Sequence, residues 1–260
     1  MNMSYEEFMR AIGFSEEYVA AVGKIPVTEE EIESLPTASF LEASYIGERP
    51  DKVLALFVHF LALHSERAYH VRGLTRTEWL NTMRDLVLWS DHLLHERGEI
   101  GIRETGWLAH LVRTEIFRLG RLQFVPKVSE EEVRFGGNVF PAGTPYCEVH
   151  IPADGKLLPE EVDASFARVK QLFSPCFFSC DSWLLSPKLK QFLQGGNILS
   201  FASRFTVVET DTCNRSAERY IFGRIENPQD YIVQNAFSAR VKAAACAGDY
   251  IGSALGYLLP

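Results

Sequence analysis

Glu148 and His150 stand two residues apart in the run Tyr146-Cys-Glu-Val-His-Ile-Pro152. In an extended chain that spacing puts both side chains on one face. Either could take a proton from a reacting group, and a histidine oriented by a carboxylate does so near neutral pH, because its ordinary pKa lies there. A second run, Phe177 to Leu185, carries Asp181. If the two runs are neighbouring strands, His150 and Asp181 face one cleft. A competing account is equally physical. A half-exposed strand also alternates polar and apolar residues, and Glu148 then only pairs with a nearby basic side chain.

The segment after the first run could hold an anion. Pro152-Ala-Asp-Gly-Lys-Leu-Leu158 leads into a helix with Pro159 in its first turn. The free N–H groups of a helix N-terminus attract negative charge. Lys156 would add to that attraction, whereas Asp154, Glu160 and Glu161 oppose it. One glycine, Gly155, makes neither GxxxxGK[ST] nor GxGxxG. Arg118 and Arg121, in Phe117-Arg-Leu-Gly-Arg-Leu-Gln-Phe124, offer a second place for a phosphate. Arginines at such a junction more often satisfy the carbonyls of a helix end.

Other chemistry is weaker. Ser182 lacks a GxSxG elbow, and Asp181 beside it points to the opposite face of a strand, so a hydrolytic triad with His150 is disfavoured. Cys176 and Cys180 have no partner pair for zinc. His92 with His95, and His59 with His64, have no carboxylate set to complete a metal site. The five cysteines form no CxxC and read as reduced thiols.

These residues need elements to hold them, and the chain changes period once. Up to about residue 119 it reads as helices. Ser4 with Glu7, Thr28 with Glu31 and Thr75 with Glu78 have capping-box spacing. A helix is expected from Pro50 to about Val71. A second carries Trp79, Met83, Leu86, Val87 and Leu93 as one stripe to Gly98, and a third runs from Thr105 to Leu119, stopped by Gly120. Thereafter strands are expected at 121–125, ending at Pro126, at 133–140 around a Gly136-Gly137-Asn138 turn, at 146–151, 177–185, 198–208 and 220–223, with a further one in the 250–259 tail. Helices are expected at 158–173, 187–193 and 228–247. Helices followed by alternating strands and helices make an α+β chain, with an all-helical domain over 1–119 and an α/β domain over 120–260.

The bulk numbers narrow the function classes. The chain has 260 residues, 47% of them hydrophobic and 23% charged, with a net charge of −8. An acidic chain argues against a nucleic-acid surface. The longest apolar run, Val53 to Leu63, is too short to span a bilayer. The N-terminus has no signal-peptide order. A cytoplasmic protein acting on small molecules is the expectation.

Glu104-Thr-Gly-Trp-Leu108, Phe117-Arg-Leu-Gly-Arg-Leu-Gln-Phe124, Val149-His-Ile-Pro152 with Gly155 and Leu157, Asp163-Ala-Ser-Phe166 and Asp181-Ser-Trp-Leu-Leu185 with Pro187 occur together. In this the chain resembles the bacterial acyltransferase domain-containing proteins, which pair a helical N-terminal domain with a GNAT-like C-terminal domain. The resemblance implies a mixed, mostly antiparallel sheet. It also implies an acyl-CoA co-substrate, acetyl-CoA first among them, and a small-molecule amine as acceptor. The pantetheine arm would lie along Tyr146 to Ile151, and the pyrophosphate would meet the segment holding Gly155, Lys156 and Leu157. The loop departs from the superfamily's usual [QR]xxGxG or GxA. A binding or regulatory module that keeps the fold without the reaction is therefore the alternative. The resemblance carries over no base, so His150, Glu148 and Asp181 rest on the residues alone.

Overall fold

The computed structural model describes residues 3–41 and 49–260, which fall into two compact units, Met1–Leu119 and Gly120–Pro260. The first unit holds α1 (Tyr5–Ile12), α2 (Glu16–Val22), α3 (Glu29–Glu33), α4 (Pro50–Val71), α5 (Arg76–Met83), α6 (Asp85–Arg97), α7 (Thr105–Val112) and a short strand, β1 (Phe117–Leu119). All three capping boxes form as their spacing requires, at Ser4/Glu7, Thr28/Glu31 and Thr75/Glu78. Helix α4 is the axis of this unit. Its Leu54, Phe57, Val58 and Leu61 are buried, because helices pack on more than one side of it.

Two expectations change here. The stripe from Trp79 to Leu93 is carried by two helices, α5 and α6, joined at Arg84. That residue keeps right-handed dihedrals, so the stripe continues with no glycine or proline to mark the break. The helix expected to reach Leu119 ends at Val112. Thr114 has a φ of 58°, and this left-handed residue turns the chain before Gly120 is reached.

The second unit holds β2 (Leu122–Val128), β3 (Val133–Phe135), β4 (Asn138–Phe140), β5 (Pro145–His150), α8 (Pro159–Phe173), β6 (Phe177–Ser182), α9 (Leu189–Phe192), α10 (Asn197–Ala202), β7 (Thr206–Asp211), α11 (Ser216–Phe222), α12 (Ala236–Cys246) and β8 (Ser253–Leu258). The main sheet has six strands in the order β1-β2-β5-β6-β8-β7. Within it β2–β5, β6–β8 and β8–β7 pair antiparallel, and β5–β6 pair parallel. A β3–β4 hairpin forms around Gly136-Gly137. Gly120 makes the turn into β2. Its φ is +73°, and a Cβ there would lie 2.9 Å from Ser165 Oγ, the atom that accepts the N–H of Arg121.

One face of the sheet is apolar and carries α8. Phe124 and Phe178 meet Phe166 at ring distances of 5.8 and 4.8 Å, over a core that includes Cys147, Val149, Val162 and Val169. The opposite face is covered at one end by the small hairpin. There Tyr146 stacks on Phe177, and Phe135 stacks on Tyr257.

Several sequence expectations are corrected. Strand β2 runs through Pro126, which faces Cys147 of β5 in the ladder. The strand expected to reach Leu185 stops at Ser182, whose hydroxyl caps a short 3₁₀ turn, Trp183–Leu185. Residues 198–208 are not one strand but α10 followed by β7. The segment 220–223 lies in and just past α11. The last helix begins at Ala236, which leaves Ile232 outside it and 76% exposed.

Candidate active site

β5 pairs with β2 along its whole length, from Val128↔Pro145 to Gln123↔His150. On its other side it pairs with β6 only at Tyr146↔Phe177, Cys147↔Phe178 and Glu148↔Ser179. β6 goes on to Ser182, held there by β8. The two parallel strands therefore part after Glu148 and Ser179. Val149 and His150 form one lip of the gap, and Cys180 and Asp181 form the other. Beyond Glu148, β5 pairs with no described strand on this side.

Register fixes what surrounds this gap. Gln123, Val125 and Lys127 of β2 share a face with Tyr146, Glu148 and His150 of β5. Ser179 and Asp181 of β6, with Tyr257 of β8, continue that face. The spacing argument for Glu148 and His150 thus holds in three dimensions. Asp181 lies on the same face but across the gap. It is exposed, and no described residue bonds or ion-pairs with it.

His150 Nε2 is 3.7 Å from Glu148 Oε2, and Lys127 Nζ is 2.9 Å from Glu148 Oε1. Burial alone would raise the Glu148 pKa. The Lys127 ammonium at 2.9 Å and the neighbouring His150 imidazole outweigh it and hold the carboxyl below its ordinary range. An ionised, doubly engaged carboxylate is a poor base and a good anchor. Lys127 fixes that carboxylate beside the His150 imidazole.

The loop after β5 is shaped from within. Arg121 Nε donates to the Lys156 carbonyl at 2.9 Å, and its Nη2 donates to the carbonyls of Pro152 and Gly155 at 2.8 and 2.7 Å. This guanidinium gathers three loop carbonyls and turns them inward. Lys156 and Gly155 are exposed on the loop, Leu157 is buried beneath it, and Ile151 at its start is half-buried. Gly155 is not needed for backbone reasons: a Cβ there would make only an ordinary contact with Arg121 at 3.5 Å. The loop delivers the chain to α8, whose N-terminus has no side-chain cap. Pro159 has no N–H and the Glu161 N–H donates to the Leu158 carbonyl at 3.1 Å, so the first turn presents the Glu160 N–H to an anion. Arg118 lies in β1 of the first unit, where its N–H donates to Thr82 Oγ1.

The remaining candidates have structural roles. Ser182 is committed to its 3₁₀ turn. Burial pushes the Cys147 thiol up to about 12 and the Cys180 thiol higher still, so neither is a thiolate nucleophile. His64 pairs with Glu33, His92 with Glu96, and His59 stacks on Tyr5. No cluster of metal-ligating side chains occurs among the described residues, and none of their helices is long and apolar enough to cross a membrane.

Two residues of this site are not singled out by sequence reasoning. Lys127 could have been found by its two-residue spacing in β2, had Pro126 not suggested that the strand was over. Gln123 is 2% exposed, and its Nε2 has no hydrogen-bond partner among the described residues. Its signal is a lone amide in the otherwise apolar run Leu122-Gln-Phe-Val125.

Comparison with known proteins points the same way. A family described as GNAT-like C-terminal domain matches residues 116–258. No curated protein matches the sequence. Among solved structures, an acyltransferase in complex with decanoyl-CoA and teicoplanin superposes with a TM-score of 0.81 at 19% identity, over 100% of this chain and 90% of that one. An acyltransferase with CoA and 10C-teicoplanin gives 0.80 at 18% identity, over 98% and 88%. A mutant acyltransferase with octanoyl-CoA gives 0.78 at 18%, over the same shares.

Proposed function

Because this chain belongs to the family defined by a GNAT-like C-terminal domain, we propose that it is an N-acyltransferase that moves an acyl group from acyl-CoA to an amine. The observation that carries this reading is the parting of β5 and β6 after Glu148 and Ser179, beside an uncapped helix N-terminus and a histidine–carboxylate pair. The pantetheine arm would lie along the free edge of β5, and the pyrophosphate would meet the first turn of α8.

In the reaction the amine nitrogen attacks the thioester carbonyl carbon. His150 takes the proton that the nitrogen loses, directly or through one water. The new C–N bond replaces the C–S bond, and CoA leaves as a thiolate that solvent protonates. Backbone N–H groups of β5 would polarise the carbonyl oxygen. The positioning of two substrates on one rigid sheet supplies much of the acceleration. The structural neighbours were solved with octanoyl-CoA, decanoyl-CoA and teicoplanin. These ligands favour a medium-length acyl chain over acetyl, and a small-molecule acceptor.

Calorimetric titration with acetyl-, octanoyl- and decanoyl-CoA tests the reading. Saturable binding that tightens with chain length is expected, and His150→Ala should lower turnover by on the order of 10²-fold while leaving binding intact. Normal turnover in that variant would remove His150 as the base. A second reading, a ligand-binding module without the reaction, is favoured by the loop itself. Its carbonyls are gathered by Arg121, and Asp154, Glu160 and Glu161 surround its one glycine. That reading requires no measurable affinity for any of the three thioesters.

A further inference from the structure

Gln123 is buried on the working face of the sheet with an amide nitrogen that nothing among the described residues engages. Native interiors rarely leave such a group unpaired, because it has given up water and gained nothing. Its place in the fold says what the missing partner is. Gln123 is the register partner of His150. Directly opposed residues on antiparallel strands have Cβ atoms only about 5 Å apart, so the two side chains stand side by side. The gap that would admit the thioester opens on the far side of β5, towards β6. The Gln123 amide therefore flanks His150 on the side away from the thioester, where the acceptor must approach.

We propose that Gln123 is an acceptor-binding residue. Its amide donates a hydrogen bond to an oxygen that the acceptor carries beside its reacting nitrogen. This rests on the acyltransferase reading and narrows its substrate class. With the nitrogen at His150 and the oxygen at Gln123, the two acceptor atoms must be separated by roughly the spacing of the two side chains. Amines with a hydroxyl or carbonyl oxygen three or four bonds from the nitrogen meet that requirement, and simple alkylamines do not. A buried donor left unpaired by the wrong ligand also rejects it, which is the stronger source of discrimination.

The test measures thiol release from octanoyl-CoA with matched amine pairs, each an amino alcohol or amino amide set against the alkylamine of the same length. Wild type and Gln123→Leu are compared. The wild type is expected to prefer the oxygen-bearing member of each pair by about tenfold or more in kcat/KM, and the variant is expected to lose that preference while binding octanoyl-CoA as before. Leucine is close to glutamine in size and removes the unpaired amide, so the melting temperature of Gln123→Leu should equal or exceed that of the wild type. Equal rates for both members of each pair, or a preference unchanged in Gln123→Leu, would overturn the inference and leave the acyltransferase reading standing. A large fall in melting temperature would also overturn it, since the amide would then have an internal partner. Thiol release with none of the amines would remove both.

Discussion

Lys127, Glu148 and His150 stand in a row on one face of the sheet, with Lys127 Nζ 2.9 Å and His150 Nε2 3.7 Å from the Glu148 carboxylate. The Glu148 pKa is lowered because the Lys127 ammonium and the His150 imidazole beside it outweigh its burial. Its contribution to stability has a definite sign. A carboxyl whose folded pKa lies below its unfolded value, about 4.3 for glutamate, stabilises the fold fully above that value. The contribution is lost as the pH falls through the depressed folded value. Replacing Lys127 with alanine removes the hydrogen-bonded ammonium at 2.9 Å from Glu148. The Glu148 titration, followed by carboxylate NMR, should then move up towards the ordinary range. Turnover should fall by about five- to tenfold, as expected for about 1 kcal/mol of lost orientation, with acyl-CoA affinity unchanged. An unmoved Glu148 titration would show that Lys127 does not hold the carboxylate. That Glu148 and His150 share one face was legible in the sequence, because a period of two is a property of the backbone alone. Gln123 was not, because its burial comes from what packs around β2, and the alternation of its own strand does not report that.

At the scale of elements, the loop between β5 and α8 owes its shape to one side chain. Arg121 donates to three carbonyls of that loop from a nearly buried position. Hydrogen bonds from a charged donor contribute about 1.5–3 kcal/mol each and are not additive, so Arg121→Ala should destabilise the protein by about 3 kcal/mol. Arg121→Lys should recover little of this, since an ammonium cannot reproduce the planar fork. If the loop also positions the N-terminus of α8 for the pyrophosphate, both variants should weaken CoA binding more than they weaken binding of the pantetheine arm alone. Denaturant unfolding and paired titrations measure the two effects. The elements themselves were legible where a local rule decides them, as at the three capping boxes and the Gly136-Gly137 hairpin. They were not where two states share one pattern. Ile198-Leu-Ser-Phe201 is a short apolar run that suits a strand or a buried helix, and it forms α10. The gap between β5 and β6 is further still from the sequence. It depends on β6 following β8 instead of β5, which no residue within β5 announces.

The whole molecule carries a net charge of −8, and acyl-CoA is itself strongly anionic. A protein that holds phosphates with a basic cluster loses affinity steeply as salt screens the attraction. Here the overall field opposes the ligand, and Lys156 is the exposed cation of a loop that also carries Asp154. Binding should then come from short-range bonds: backbone groups along β5, the first turn of α8 and burial of the acyl chain. Salt screens the unfavourable long-range repulsion and the single favourable contact together. The dissociation constant of decanoyl-CoA should change by less than about twofold between roughly 20 and 200 mM salt, although the Debye length falls about threefold across that range. The same titration on Lys156→Ala should show slightly tighter binding at high salt than at low salt, because only repulsion is left to screen. Calorimetry at a series of salt concentrations would suffice. A tenfold loss of affinity in the wild type would mean that a basic cluster, and not the open edge of β5, holds the cofactor.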